Sequence, residues 1–249
     1  MNETLRTINS LRSIHGNFSE KEIGKENLQI ILDSSIQAAT GGCLQSYSII
    51  CIDDKDLMEK VCQYRGSRVL IYLVDVNRHT ACGDYLGTKF PAPNTGFFMM
   101  AMADALLAAQ NAVIAAKSLG IDSLINTGIH RTNQEETFQL LNLPEKYCFP
   151  AIAVVLGYPA EEPDFKKGRL KGAGIIHSNR YTEPDEKEID EIIKKYDNQE
   201  IHLALNDSWK KKGYKHYLEH VYSDWFSEPE ESEEEQLFAY LKKSGFLEG

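Results

Sequence analysis

Phe97-Phe-Met-Met-Ala-Met-Ala-Asp-Ala-Leu-Leu-Ala-Ala-Gln-Asn-Ala-Val-Ile-Ala-Ala-Lys-Ser-Leu119 is the longest helical pattern in the chain. It is Ala-rich and apolar on nearly every side. A helix of that kind is buried in a core or an interface. Asp104, Gln110 and Asn111 interrupt its most apolar run, Ala101 to Ala116. No stretch reaches the roughly 18–20 apolar residues of a bilayer span, so a core helix is expected and a membrane protein is not. Gly120 suits the C-terminal cap.

Strand-length runs stand on both sides of this helix. Val69-Leu-Ile-Tyr-Leu-Val74 and Ala151-Ile-Ala-Val-Val-Leu156 are continuous apolar runs, as in strands buried on both faces. Tyr47-Ser-Ile-Ile-Cys-Ile52 is a third β-rich run. Upstream, residues 23–38 carry Leu28, Ile31, Leu32 and Ile36 at helical spacing, and Ser19-Glu-Lys-Glu22 has the form of a capping box. Thr40-Gly41-Gly42 reads as a turn and Asn77 to Pro93 as a loop. Downstream, short helices are expected over Gln134–Leu141, Glu186–Tyr196 and Phe238–Phe246. The six-Glu run from Glu228 to Glu235 leads into the last of these. Helices alternating with a few strands define a mixed α and β class.

The 249 residues carry 27 basic and 37 acidic side chains, a net charge of −10. That balance argues against a nucleic-acid-coating protein, because phosphate backbones need a positive footprint. The five cysteines are widely spaced without a CxxC, which fits reduced thiols in a cytoplasmic protein. Met1-Asn-Glu-Thr-Leu-Arg6 lacks the pattern of a signal peptide. No Gly-x-Ser-x-Gly elbow, Gly-x-Gly-x-x-Gly turn or Walker A sequence is present. His216 and His220 stand four apart, but without the HExxH pattern no metal site is expected.

Three short constellations remain. Arg12-Ser-Ile-His15 and Lys166-Lys-Gly-Arg169 offer a planar fork, a hydroxyl and point charges, the elements of an anion pocket; either is equally a solvated face. Thr40-Gly-Gly42 permits close backbone approach by a flat ligand, or is simply a turn. Ile125-Asn-Thr-Gly128 follows a short β-like segment and either faces a ligand or caps a strand.

In this order, Arg12-Ser-Ile, Phe18-Ser-Glu-Lys-Glu-Ile23, Ala39-Thr-Gly-Gly-Cys-Leu-Gln45, Val74-Asp-Val-Asn-Arg-His79, Ala103 to Gly120, Leu140-Leu-Asn-Leu-Pro144, Leu156-Gly-Tyr-Pro159 and Arg169-Leu170 resemble the FMN-dependent nitroreductases. The NADPH-preferring, flavin reductase P-like branch is the most similar. The resemblance covers nearly the whole chain. It implies an α+β fold with a central, mostly antiparallel sheet flanked by helices, in an intertwined homodimer with FMN at the interface. It implies a single domain over 1–249, with a polar C-terminal excursion over 181–249 packed on the body or the partner subunit. The implied activity is NAD(P)H-dependent, two-electron, ping-pong reduction of a small-molecule acceptor such as a nitroaromatic, quinone or flavin. A flavin-binding or regulatory protein with little turnover is the alternative.

By the same resemblance, Arg12, Ser13, His15, Lys167 and Arg169 hold the flavin phosphate and ribityl chain. Thr40, Gly41 and Gly42 lie near the flavin, and Ile125, Asn126, Thr127 and Gly128 present backbone amides to its ring. No side chain is implied as catalytic, because the chemistry belongs to the cofactor. The sequence departs from the family pattern at three places. His15 stands where an Arg is usual. The segment between Asp54 and Val69 is short, with Gln63 or Arg68 as substitutes for a usual ring contact. Lys210-Lys-Lys212 is an open choice for the NADPH 2′-phosphate.

Overall fold

The two continuous apolar runs become the paired central strands of a four-stranded sheet. The computed structural model describes residues 1–247 except 92, 173 and 227–230, and gives no side-chain detail for 131 and 231–234. It divides into two units, Met1–Glu162 with Ser232–Gly249, and Pro163–Glu231.

In the first unit, β1 (Tyr47–Ile52), β2 (Arg68–Asp75), β3 (Asp122–Asn126) and β4 (Cys148–Gly157) lie in the order β1-β2-β4-β3. All three pairings are antiparallel, with Tyr47 opposite Val74, Ile71 opposite Ala153 and Ser123 opposite Leu156. A parallel bridge from Ser13 to Ser123 adds the N-terminal segment to the β3 edge. Strand β4 is buried along its whole length, as its unbroken apolar run predicts.

Helix α5 (Thr95–Ser118) covers one face of the sheet. Its Ala101, Ala105, Ala108, Ala112 and Ala116 are buried, and these small side chains let the helix axis approach the strands closely. By length and composition α5 would also span a bilayer, but that alanine face is spent on the sheet. Asn94 caps its start, accepting the Phe97 N–H at 2.9 Å. Before it in the chain come α1 (Glu3–Ser10), α2 (Lys25–Ser35), α3 (Lys55–Cys62) and α4 (Asn77–Tyr85). On α2, Ser35 Oγ donates to the Ala108 carbonyl at 2.9 Å and shares a hydrogen bond with Tyr72 Oη, tying α2 to α5 and the sheet. The opposite face packs Met58, Val61 and Cys62 of α3 against Ile52, Val69, Ile71 and Leu124. Each such side chain contributes about 1.5–3 kcal/mol on burial. Next comes α6 (Gln134–Leu140). The tail returns to this unit, where the fully buried Phe246 meets Phe98 with ring centroids 5.0 Å apart.

The second unit contains α7 (Glu186–Asp197), α8 (Ser208–Lys211), α9 (Tyr217–His220) and a π-turn over Val221–Trp225, around a small cluster of Trp209, Tyr217 and Val221. Asp185 and Glu188 form a reciprocal capping box on α7. His216 and His220 pair with different carboxylates, Asp197 at 2.7 Å and Asp224 at 2.9 Å.

The structure corrects some local expectations. No helix starts at Ser19; α2 starts at Lys25 with Gly24 as its cap. The Glu22 carboxylate, needed for a capping box, instead binds Lys55 and Ser67 and pairs with Arg68. Asn77–Tyr85 is helical rather than loop. The last helix, α10 (Glu231–Lys243), starts well before Phe238. Residues 228–230 of the acidic run lie outside the described residues, as do the side chains of 231–234.

Candidate functional site

The β3 edge gathers one group of the expected site residues. Ile14 N–H donates to the Ser123 carbonyl at 3.0 Å, so Ser123 faces the open edge of the sheet. Backbone polar groups alternate sides along a strand, so Leu124 and Asn126 face β4 while Ile125 faces the same edge as Ser123. Ile125 thus offers an N–H and a C=O beyond the point where the N-terminal segment stops pairing. Thr127 follows in a turn conformation. The Gly128 N–H is not free: it donates to Asn126 Oδ1 at 2.6 Å, while Asn126 Nδ2 donates to the Cys62 carbonyl at 2.7 Å. Of the four residues expected to present amides, Gly128 and Asn126 therefore build the turn.

Beside this edge, Ser13 and His15 are exposed, and their side chains have no hydrogen-bond partner among the described residues. Arg12 is engaged. Its Nε and Nη2 donate to Asp122 Oδ2 at 3.1 and 2.6 Å, and Nη1 donates to Glu162 Oε2 at 2.7 Å. Lys117 Nζ holds the other Asp122 oxygen at 2.5 Å. Burial pushes the Asp122 carboxyl up, but the bonds from Arg12 and Lys117 outweigh it and hold the group below its ordinary range. The same carboxylates push the Arg12 guanidinium further up, fixing its charge. A guanidinium has five N–H groups, and three are spent here, so two remain.

The second group, Thr40–Gly42, lies before β1, at the opposite edge of the sheet. The Gly41 N–H donates to Asp104 Oδ1 of α5 at 2.8 Å. A Cβ at Gly41 would fall 2.4 Å from Met100, so the segment sits directly on α5. Two strands lie between β1 and β3, which sets their edges roughly 14 Å apart at the usual strand spacing. Along α5, Asp104 anchors Gly41 and Lys117 reaches Asp122 beside Arg12, a separation of about 20 Å at 1.5 Å per residue. One chain therefore does not close a single pocket around both groups.

Lys167 and Arg169 belong to the second unit. Lys167 Nζ donates to the carbonyls of Ala204 and Leu205 at 2.5 and 2.9 Å, and burial lowers its pKa. Arg169 is exposed and folds back on the Gly168 carbonyl at 2.7 Å. Of the expected substitutes in the short segment, Arg68 has its Nη1 engaged by Glu22 and the Ser67 carbonyl. Gln63 is exposed and ends α3 in a left-handed conformation. Lys212 pairs with Asp224 at 2.7 Å, and Lys210 lies over the Trp209 ring.

Sequence reasoning missed Asp104, Asp122 and Glu162. An acidic residue inside an otherwise apolar helix was the available signal for Asp104. Nothing local marks Asp122 or Glu162, whose roles depend on a partner more than a hundred residues away.

The fold is that of an α+β protein whose β3 edge is bridged only at Ser123 among the described residues. Comparison with known proteins specifies the class. Residues 64–158 match the model of the Nitroreductase family. A Cr(VI) reductase of Pseudomonas sp. (strain G-1) is 30% identical over 84% of this chain and 88% of its own length. An FMN reductase (NADPH) of Bacillus subtilis is 29% identical over 73% of this chain and 75% of its own. The solved structure of B. megaterium NfrA1 superposes with a TM-score of 0.81 at 26% identity, covering 98% of this chain and 99% of the other. The chain belongs to the nitroreductase family.

Proposed function

We propose that this protein is an FMN-dependent NAD(P)H oxidoreductase that reduces a small acceptor, such as a nitroaromatic, quinone or flavin, by two-electron ping-pong transfer. The observation that carries the reading is the open β3 edge at Ile125 beside Ser13 and His15, in a chain of this family.

The residues present fit FMN at both of its ends. For the ring, the edge-facing N–H and C=O of Ile125 match the alternating donors and acceptors of an isoalloxazine. Gly128, with no side chain, keeps the turn beside them low. For the phosphate, the two unspent N–H groups of Arg12, Ser13 Oγ and the His15 imidazole form an anion-binding donor set. Arg12, Lys117, Asp122 and Glu162 sum to zero charge, so a phosphate gains most by displacing the exposed Glu162 from Arg12 Nη1. Bound FMN supplies reversible two-electron chemistry at its N5 atom. The chain's own residues bind and orient: Asp122 holds the Arg12 fork, the Asn126 side chain fixes the turn, and Ile125 aligns the ring by its backbone.

The second cluster, Thr40–Gly42, reaches a flavin held at the β3 edge only from another copy. Exposed Leu5 and Ile8 on α1 and Met99, Leu106 and Leu107 on α5 supply an apolar surface for that contact. We infer a homodimer in which each chain works as one functional domain over 1–249, acting in the cytoplasm.

The test is the visible spectrum of the purified protein before and after anaerobic NADPH. A flavin band that bleaches supports the reductase. A band that persists, with NADH also inactive, replaces it with a flavin-binding protein of little turnover. No band after incubation with FMN refutes the cofactor assignment.

A further inference from the structure

The segment from Gly41 to Ser46 has an unusual backbone. Gly42 has φ 58°, and two residues with side chains also lie in the left-handed region, Cys43 at 58° and Gln45 at 51°. Such conformations cost free energy at non-glycine residues and persist where the surroundings over-determine them.

Here the surroundings are two charged side chains. Asp104 is a carboxylate on the buried face of α5, 2% exposed. Its Oδ1 accepts the Gly41 N–H at 2.8 Å and its Oδ2 accepts the Ser46 N–H at 3.3 Å. One carboxylate thus spans both ends of the segment. Arg78 on α4 holds the acceptors: Nη2 donates to the Gln45 carbonyl and reaches the Leu44 carbonyl at 3.5 Å. The N–H donors at the two ends of the segment point to an anion in the core, and its Leu44 and Gln45 carbonyls to a cation at the surface, while the Leu44 N–H closes a turn on the Gly41 carbonyl at 3.1 Å. That division leaves little freedom for the intervening backbone.

We propose that Asp104, aided by Arg78, is a positioning residue that presets Thr40–Gly42 in the shape that meets the flavin ring. The claim rests on the proposed function, because it assigns the flavin as the ligand of this segment. Asp104 does not touch the flavin; it acts through the backbone of residues 41–46. A neutral Asn at 104 keeps the volume but retains one acceptor oxygen, and its NH2 group faces an N–H.

The test compares flavin binding to the dimeric protein with two probes, FMN and riboflavin, by quenching of flavin fluorescence, together with the visible circular dichroism of bound flavin. In Asp104→Asn, affinity for both probes is expected to fall by the same factor, roughly tenfold for one lost charge-assisted bond. The ring dichroism changes as well. In Ser13→Ala, affinity falls for FMN and not for riboflavin, because only FMN carries the phosphate. Arg78→Ala, on an exposed side chain, shows a smaller loss in the same pattern, and Arg78→Lys restores part of it. Unchanged ring dichroism and unchanged affinity in Asp104→Asn and Arg78→Ala overturn the proposal while leaving the flavoprotein assignment intact. A loss in Asp104→Asn that tracks its thermal midpoint, with Arg78→Ala unaffected, also overturns it. Wild-type protein that binds neither probe removes the function and this role together.

Discussion

Asp122→Ala removes the carboxylate that organises the Arg12 end of the site. The Asp122 side chain is 3% exposed, while Arg12 and Lys117 are 20% and 16% exposed. The substitution deletes three charge-assisted bonds and leaves two cations facing each other. Breaking a fully buried pair costs about 3–5 kcal/mol. Both cations here reach water in part, and Arg12 keeps Glu162, so about 2–3 kcal/mol is expected. At about 2–4 °C per kcal/mol for a chain of this size, the unfolding midpoint drops by roughly 5–10 °C. The assay is thermal unfolding of flavin-free protein at fixed concentration, since ligand and subunit association also shift the midpoint. The pH dependence is an internal control. The folded-state pKa of Asp122 is depressed, so its stabilisation is complete above the unfolded value and is lost as pH falls through the folded one. The gap between wild type and variant is therefore full at pH 7 and narrows below about pH 4. A midpoint within 1–2 °C (on the order of the assay's scatter) at pH 7, or a gap that persists undiminished in acid, refutes the reasoning.

Four further outcomes are expected. Glu22 is held down at about 2, first by Lys55 and then by Ser67, so it stabilises the fold above its unfolded pKa. In Glu22→Gln, stability near neutral pH falls and the acid limb between about pH 4.5 and pH 2 flattens, as urea unfolding across that range would show. Burial pushes the Cys62 and Cys148 thiols up to about 11 and about 12, so alkylation of native protein at pH 8 labels the exposed Cys43, Cys82 and, more slowly because desolvation raises its thiol, Cys51, and spares the buried pair until urea is added. Glu162→Gln removes the charge that holds Arg12 Nη1, so FMN affinity rises several-fold while riboflavin affinity stays put; a fall for FMN shows that Glu162 does not compete with phosphate. Leu106→Asp puts a charge on the exposed apolar face of α5, and sedimentation should show monomers that have also lost FMN.

Much of the fold was legible because burial leaves a local pattern. The unbroken runs at Val69–Val74 and Ala151–Leu156 could be little other than strands enclosed on both faces, and both are central in the sheet. The alanine stripe of α5 announced a close helix–sheet contact. Helix starts were less legible, because a capping box is only a local possibility. Glu22 has the right spacing from Ser19, yet two cations and a hydroxyl from elsewhere in the fold outbid that helix start. The Asn77–Pro93 segment misled for the opposite reason: its Gly and Thr content masked a helix whose first turn is tied down by Asn77, which donates to the Lys146 carbonyl at 3.0 Å, and by Arg78.

The candidate site shows the same division between types of residue and their partners. Arg12 and Ser13 were identified by chemical type, and type alone leaves the fork free for phosphate. The structure instead ties that fork to Asp122, an acid at the first position of β3. This arrangement serves a binding site better than a free arginine. A long side chain in solvent loses rotamer entropy when it meets its ligand, whereas one already held by a carboxylate has lost it on folding. Two N–H groups remain for the oxyanion of the proposed site. The same logic explains Asp104, which spends a buried charge on the backbone of a loop. Asp104 leaves a trace in the sequence, an acid in an apolar helix, but Asp122 leaves none. Each is recognisable only once the partner strand or loop is in place. In the proposed site the binding groups thus lie on loops and edges, and carboxylates on the helix and strand behind them fix their geometry.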